Sequence, residues 1–86
     1  MSEPIRVLIA DDHEVVREGL RFILEGDDDF LVVGEAADGR EALQLVGELQ
    51  PQVVLMDLRM PGMDGLEAIE HIRARWPQVA VVILTT

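Results

Sequence analysis

No cysteine occurs in the chain, which excludes a disulfide framework and a thiolate metal centre. Lysine is absent as well: all seven basic residues are arginines, set against 17 aspartates and glutamates. The formal net charge of −10 repels phosphate backbones, so this segment is not expected to bind nucleic acid by itself and suits cations or a basic partner surface better. Aromatic residues make up only 3%, so a core has to be built from Val, Leu, Ile, Ala and Met. Long hydrophobic runs are missing. The longest, residues 79–84, is far shorter than the roughly 20 residues a membrane-spanning helix needs. The N-terminal Met-Ser-Glu-Pro has neither the basic start nor the apolar stretch of a secretory signal, so the expected location is the cytoplasm, with no membrane partner. Neither the dinucleotide-binding nor the P-loop glycine signature occurs.

What is present reads as one small domain. Hydrophobic residues at 49% and charged residues at 28%, over 86 residues, give the balance of an ordinary globular chain. Residues 5–10, 31–36, 53–56 and 79–84 are short runs rich in Val and Ile, with nearly continuous hydrophobicity. That pattern predicts parallel strands buried on both faces. Between them lie three segments with helical spacing. Val16, Leu20 and Ile23 line one face of the first, Ala42, Leu45, Val46 and Leu49 of the second, and Leu66, Ile69 and Ile72 of the third. Asp38 and Glu41, and again Asp64 and Glu67, have the spacing of a helix-capping pair. Alternating strands and helices imply an α/β fold with right-handed crossovers. Ligands of such open sheets bind beyond the carboxyl ends of the strands.

Three aspartates occupy those ends. Asp11 and Asp12 follow the first strand and Asp57 follows the third. If the first and third strands are neighbours, the carboxylates converge. Two such charges about 5 Å apart repel by about 3 kcal/mol at an effective dielectric near 20. A proton or a cation has to offset that cost. An all-oxygen pocket suits a hard ion such as magnesium, which takes one or two carboxylates and keeps room for a phosphate oxygen.

The run Val-Val-Leu-Met-Asp57-Leu-Arg-Met-Pro61-Gly-Met-Asp-Gly65 resembles the phosphoacceptor strand and following loop of bacterial response-regulator receiver domains. Val-Leu-Ile-Ala-Asp11-Asp12-His13 resembles their acidic pair, and Val-Val-Ile-Leu-Thr85-Thr86 the strand that ends in their switch hydroxyl. Asp-Asp-His followed by Glu-Val-Val-Arg-Glu-Gly-Leu20 is similar to the NarL/FixJ-type subgroup. The resemblance spans the whole chain in order. It implies a flavodoxin-like doubly wound parallel sheet with strand order 2-1-3-4, and a two-component signalling role without enzymatic turnover. Asp57 would accept a phosphoryl group from a sensor histidine kinase. Asp12 and Asp57 would contact Mg2+ directly, joined by the backbone carbonyl of Arg59, with Asp11 acting mainly through a metal-bound water. Thr85 would hydrogen-bond the phosphoryl group, and Thr86 reads either as a strand-end residue of no consequence or as one that narrows access to that site.

Other residues have plainer readings. His13 reads as a partly exposed residue at a helix start and His71 as a surface residue. Arg59 reads either as a tuner of dephosphorylation or as a solvated charge. Met60, Pro61 and Met63 read as shaping the loop, and Trp76 as a packing anchor.

Set against the five strands and five helices of that family, the sequence reaches the fourth strand. The fifth strand, the last two helices and the family's lysine lie outside it. Residues 1–86 are thus expected to be a partial receiver domain, with a C-terminal helix-turn-helix output domain elsewhere. Taken alone, the segment is expected to form a homodimer or oligomer along its fourth strand. Two competing readings stand beside this one. The first is a receiver-like interaction module that is not phosphorylated. The second is a haloacid-dehalogenase-type phosphatase, which needs an acid where this chain has Arg59.

Overall fold

The apolar runs pair as one parallel sheet in a computed structural model that describes residues 3–84. In chain order the elements are β1 (Ile5–Ala10), α1 (Glu14–Glu25), β2 (Phe30–Ala36), α2 (Gly39–Leu49), β3 (Val53–Asp57), α3 (Gly65–Arg75) and β4 (Ala80–Leu84). The strands lie in the order β2-β1-β3-β4, as the sequence reading anticipated. Thr85 and Thr86, including the expected switch hydroxyl, fall outside the described residues.

Helices cover both faces of the sheet. On one face Leu8, Ala10, Ala36, Val54 and Met56 pack with Ala42 and Val46 of α2 and with Ala68, Ile69 and Ile72 of α3. On the other, Val7, Ile9 and Val32 meet Leu20 and Leu24 of α1, with Phe30, Val53 and Leu55 around them. β1 sits centrally and is buried from Val7 to Ala10.

Two expected helix faces need correction. In α1, Leu20 turns inward as predicted, but Val16 and Ile23 are exposed, and Leu24 takes the inward place. In α3, Leu66 is exposed, and the buried stripe is Gly65, Ala68, Ile69 and Ile72. Those four positions follow i, i+3, i+4, i+7 spacing, and a glycine and an alanine within it give little hydrophobic signal. β4 departs from the two-sided burial expected of a parallel strand. It forms the sheet edge, and Ala80, Val82 and Ile83 are exposed.

The register between β1 and β2 slips once. Val7 pairs with Val32, but Leu8 pairs with Gly34, which leaves Val33 as an extra residue in β2. The slip reverses the alternation of side chains along β2. Val32 faces α1, whereas Ala36 faces α2 and α3. Glu35, between Gly34 and Ala36, is thereby turned to the α1 side.

Both capping pairs form as expected. Asp38 accepts from the Glu41 N–H at 2.8 Å, and Asp64 from the Glu67 N–H at 2.8 Å. Glu41 also accepts from the Ala37 N–H at 2.7 Å. These bonds satisfy N–H groups that have no partner within the helix.

Candidate functional site

β1 and β3 are adjacent, and both end on the same edge of the sheet, so the acidic residues that follow them converge. Asp11, Asp12, His13 and Asp57 each offer a ligand atom, and all of these atoms lie within 4.8 Å of one another. The sequence reading brought the three aspartates together correctly. It set His13 aside, and the structure brings that residue into the cluster.

Asp11 and Asp57 are buried, with relative exposures of 0% and 1%. Each uses one carboxylate oxygen locally. Oδ1 of Asp11 accepts from the His13 N–H at 2.8 Å, and Oδ1 of Asp57 accepts from the Arg59 N–H at 2.9 Å. These are turn-type bonds that a short acidic side chain makes two residues ahead. The second oxygen, Oδ2, is buried and without a partner in both residues. A buried carboxylate oxygen left without a donor is costly, and two of them in residues of one acidic cluster call for a positive ligand.

The His13 ring partly answers that need. Its Nδ1 lies 3.0 Å from Asp11 Oδ1 and 3.0 Å from Asp12 Oδ1. The hydrogen bond to Asp11 and the charge of Asp12 raise the His13 pKa above its ordinary value. His13 remains largely exposed and contacts neither unpartnered Oδ2.

Glycine makes the tight geometry around Asp57 possible. A Cβ on Gly65 would overlap the Asp57 carbonyl oxygen and stand 2.7 Å from Leu58 Cα. A Cβ on Gly39 would overlap the Met63 carbonyl oxygen, so the start of α2 rests directly on the loop after β3. Both glycines directly follow the capping aspartates Asp38 and Asp64, and nothing in the sequence marks their role in close approach. Met60 is buried in the core and Met63 packs against it, in keeping with a loop-shaping role. Gly62 has a φ of 72°, a left-handed conformation that favours glycine. Trp76 packs against the α2–α3 core, with the Arg75 guanidinium 4.7 Å from its ring centroid. His71 and the Arg59 residue are exposed.

The family model for the response regulator receiver domain matches residues 7–86. The chain belongs to this family. Among curated relatives, the transcriptional regulatory protein LiaR of Bacillus subtilis is 50% identical over 82 residues, which cover 95% of this chain and 39% of LiaR. Among solved structures, the receiver domain of the putative response regulator NarL from Mycobacterium tuberculosis superposes with a TM-score of 0.84 at 39% identity, over 95% of this chain and 64% of that one. The isolated receiver domain of RcsB from Salmonella enterica serovar Typhimurium, in the presence of phosphomimetic BeF3−, gives 0.89 at 35% identity, over 95% and 62%. The receiver chain spans about two fifths of the length of the curated relatives it matches. Those relatives are response regulators of the NarL/LuxR type, in agreement with the subgroup read from residues 11–20. Among the described residues, no helix is long and apolar enough to cross a membrane.

Proposed function

We propose that this receiver domain accepts a phosphoryl group on Asp57 with the help of a divalent cation, and that Mg2+ is that cation. The observation that carries the reading is the pair of buried, unpartnered Oδ2 atoms on Asp11 and Asp57, two members of the acidic cluster at the ends of β1 and β3. The three carboxylates of that cluster fit a hard dication, and a magnesium ion keeps positions free for phosphate oxygens. Asp57, Asp12 and Asp11 would hold it, with the Arg59 carbonyl as a further oxygen. When bound, the ion neutralises charge on the transferring oxygens and lowers the repulsion between a carboxylate nucleophile and an anionic phosphoryl donor.

The chain's own contribution is positioning. The bond from the Arg59 N–H holds one oxygen of Asp57 and leaves the other free. That free oxygen attacks phosphorus, the bond from phosphorus to the donor histidine nitrogen breaks, and an aspartyl phosphate results. The protein is a signalling acceptor and not a turnover enzyme. Its phosphoryl source is a sensor histidine kinase in the cytoplasm. A DNA-binding output domain outside these residues carries the response, with Thr85 as the hydroxyl that reads the phosphoryl group.

Intact mass before and after incubation with Mg2+ and acetyl phosphate tests this reading. A gain of one phosphoryl group, lost with Asp57→Asn and with chelation of the metal, is the expected result. Absence of any gain in the full-length protein would favour the unphosphorylated interaction module instead.

Residues 1–86 expressed alone are expected to self-associate along β4. The edge strand exposes Val82 at 48% and Ile83 at 46%, and an uncovered apolar edge pairs readily with another chain. Light scattering that shows only monomer at high concentration would refute this.

A further inference from the structure

Behind the acidic loop lies an ion-paired group that the phosphoacceptor reading does not use. Arg17, in the first turns of α1, is only 17% exposed. Its Nε donates to Glu35 Oε1 at 3.2 Å, and its NH1 donates to the backbone carbonyl of Asp11 at 2.6 Å. Arg21 holds the other oxygen of Glu35 at 2.8 Å. We propose that Arg17, braced by Glu35, is a positioning residue for the cation site: it fixes the Asp11–Asp12 peptide and so sets the direction of both carboxylates.

The carbonyl of Asp11 and the N–H of Asp12 belong to one rigid unit. Holding that carbonyl restrains ψ of Asp11 and φ of Asp12, the two torsions that set how the Cα–Cβ bonds of the two residues are directed relative to each other. The other side of Asp11 is already moored, because its N–H donates to the Ala36 carbonyl at 3.0 Å. With Arg17 on the carbonyl, the residue is clamped from β2 and from α1. A guanidinium suits this task, since its planar fork can serve a carboxylate and a carbonyl at once.

Glu35 reaches Arg17 only because of the extra residue in β2. Strict alternation from Val32 would point Glu35 toward α2. The slip at Val33 turns it to the α1 side, where Arg17 and Arg21 lie. Bulges commonly re-aim a side chain beside a functional site.

Positioning and plain charge predict opposite results. If Arg17 acted through its charge, removing it would leave the acidic pocket more negative and tighten cation binding. If it acts by holding the loop, removing it loosens the ligand geometry and weakens binding. Supporting partners outside the immediate ligand set typically matter about tenfold or more for metal affinity. The proposal rests on the cation reading given above, and its test separates the two.

Mn2+ alone serves as the probe, with free ion counted by electron paramagnetic resonance in the full-length protein. Arg17→Gln should weaken Mn2+ binding about tenfold while the circular dichroism spectrum stays that of the unsubstituted protein. Arg17→Lys keeps the charge and the helix but loses the planar fork that holds the two partners in fixed directions, so it should also weaken binding. Should Arg17→Gln unfold, the lysine variant decides. Unchanged or tighter binding in a folded variant would overturn the proposal. Should the unsubstituted protein show no Mn2+ binding that Asp57→Asn removes, the cation reading itself fails and takes this inference with it.

Discussion

Gly65 lies against the backbone of Asp57. Its missing Cβ leaves room for the Asp57 carbonyl and for Leu58 Cα, which an added Cβ would approach to 2.7 Å, and its N–H donates to the Leu58 carbonyl at 3.1 Å. Gly65→Ala forces the start of α3 away from the end of β3. Overpacking of this kind costs about 1–3 kcal/mol, and the displaced strand end should also slow phosphoryl gain on Asp57. Urea unfolding and the mass assay measure the two effects. A change below about 0.5 kcal/mol would show that the backbone yields without strain. At this scale Asp11, Asp12 and Asp57 were legible in the sequence, because each ends an apolar run abruptly. Gly65 was legible only as a spacer in a capping motif, since nothing in a one-dimensional string tells which backbone lies against a glycine. Arg17 and Glu35 were hidden for a different reason. Their meeting depends on a register slip, and β2 reads as a plain apolar strand without it.

The helix α2 has no basic residue in its last turn to meet its unpaired carbonyls. Arg6, from β1, supplies the charge: NH1 donates to the Gln50 carbonyl at 2.6 Å, and NH2 donates to the Leu49 carbonyl. These bonds complete the end of the helix and oppose its dipole. Arg6→Met keeps the aliphatic stem and removes the donors, and should lower stability by about 1–2 kcal/mol. Chemical denaturation that shows no shift would mean that water replaces the guanidinium without loss. The elements themselves were read to within a residue at the strand ends, from short runs of Val and Ile between capping residues. The inward faces of α1 and α3 were read less well. Val16, Ile23 and Leu66 have the hydrophobicity of core residues, yet their positions point away from the sheet that the chain builds. Helical spacing leaves several faces open, and only the sheet decides among them.

Across the whole molecule, alternating strands and helices left few topologies open, and the observed order β2-β1-β3-β4 is the one that brings the ends of β1 and β3 together. Covering is unequal, however. α2 and α3 each bury several residues, including Ala42, Val46, Ile69 and Ile72, whereas no residue of α1 is buried. Elements with few buried contacts open locally at lower free energy than the rest of a fold. Amide hydrogen exchange on residues 1–86 should therefore show α1 exchanging well before β1, and equal protection of the two would contradict this. Each such opening frees the Asp11 carbonyl from Arg17, while Asp57, held in β3, keeps its place. In residues 1–86 alone, the Asp57 side of the acidic pocket is thus expected to last as long as the sheet, and the Asp12 side only as long as α1 stays closed.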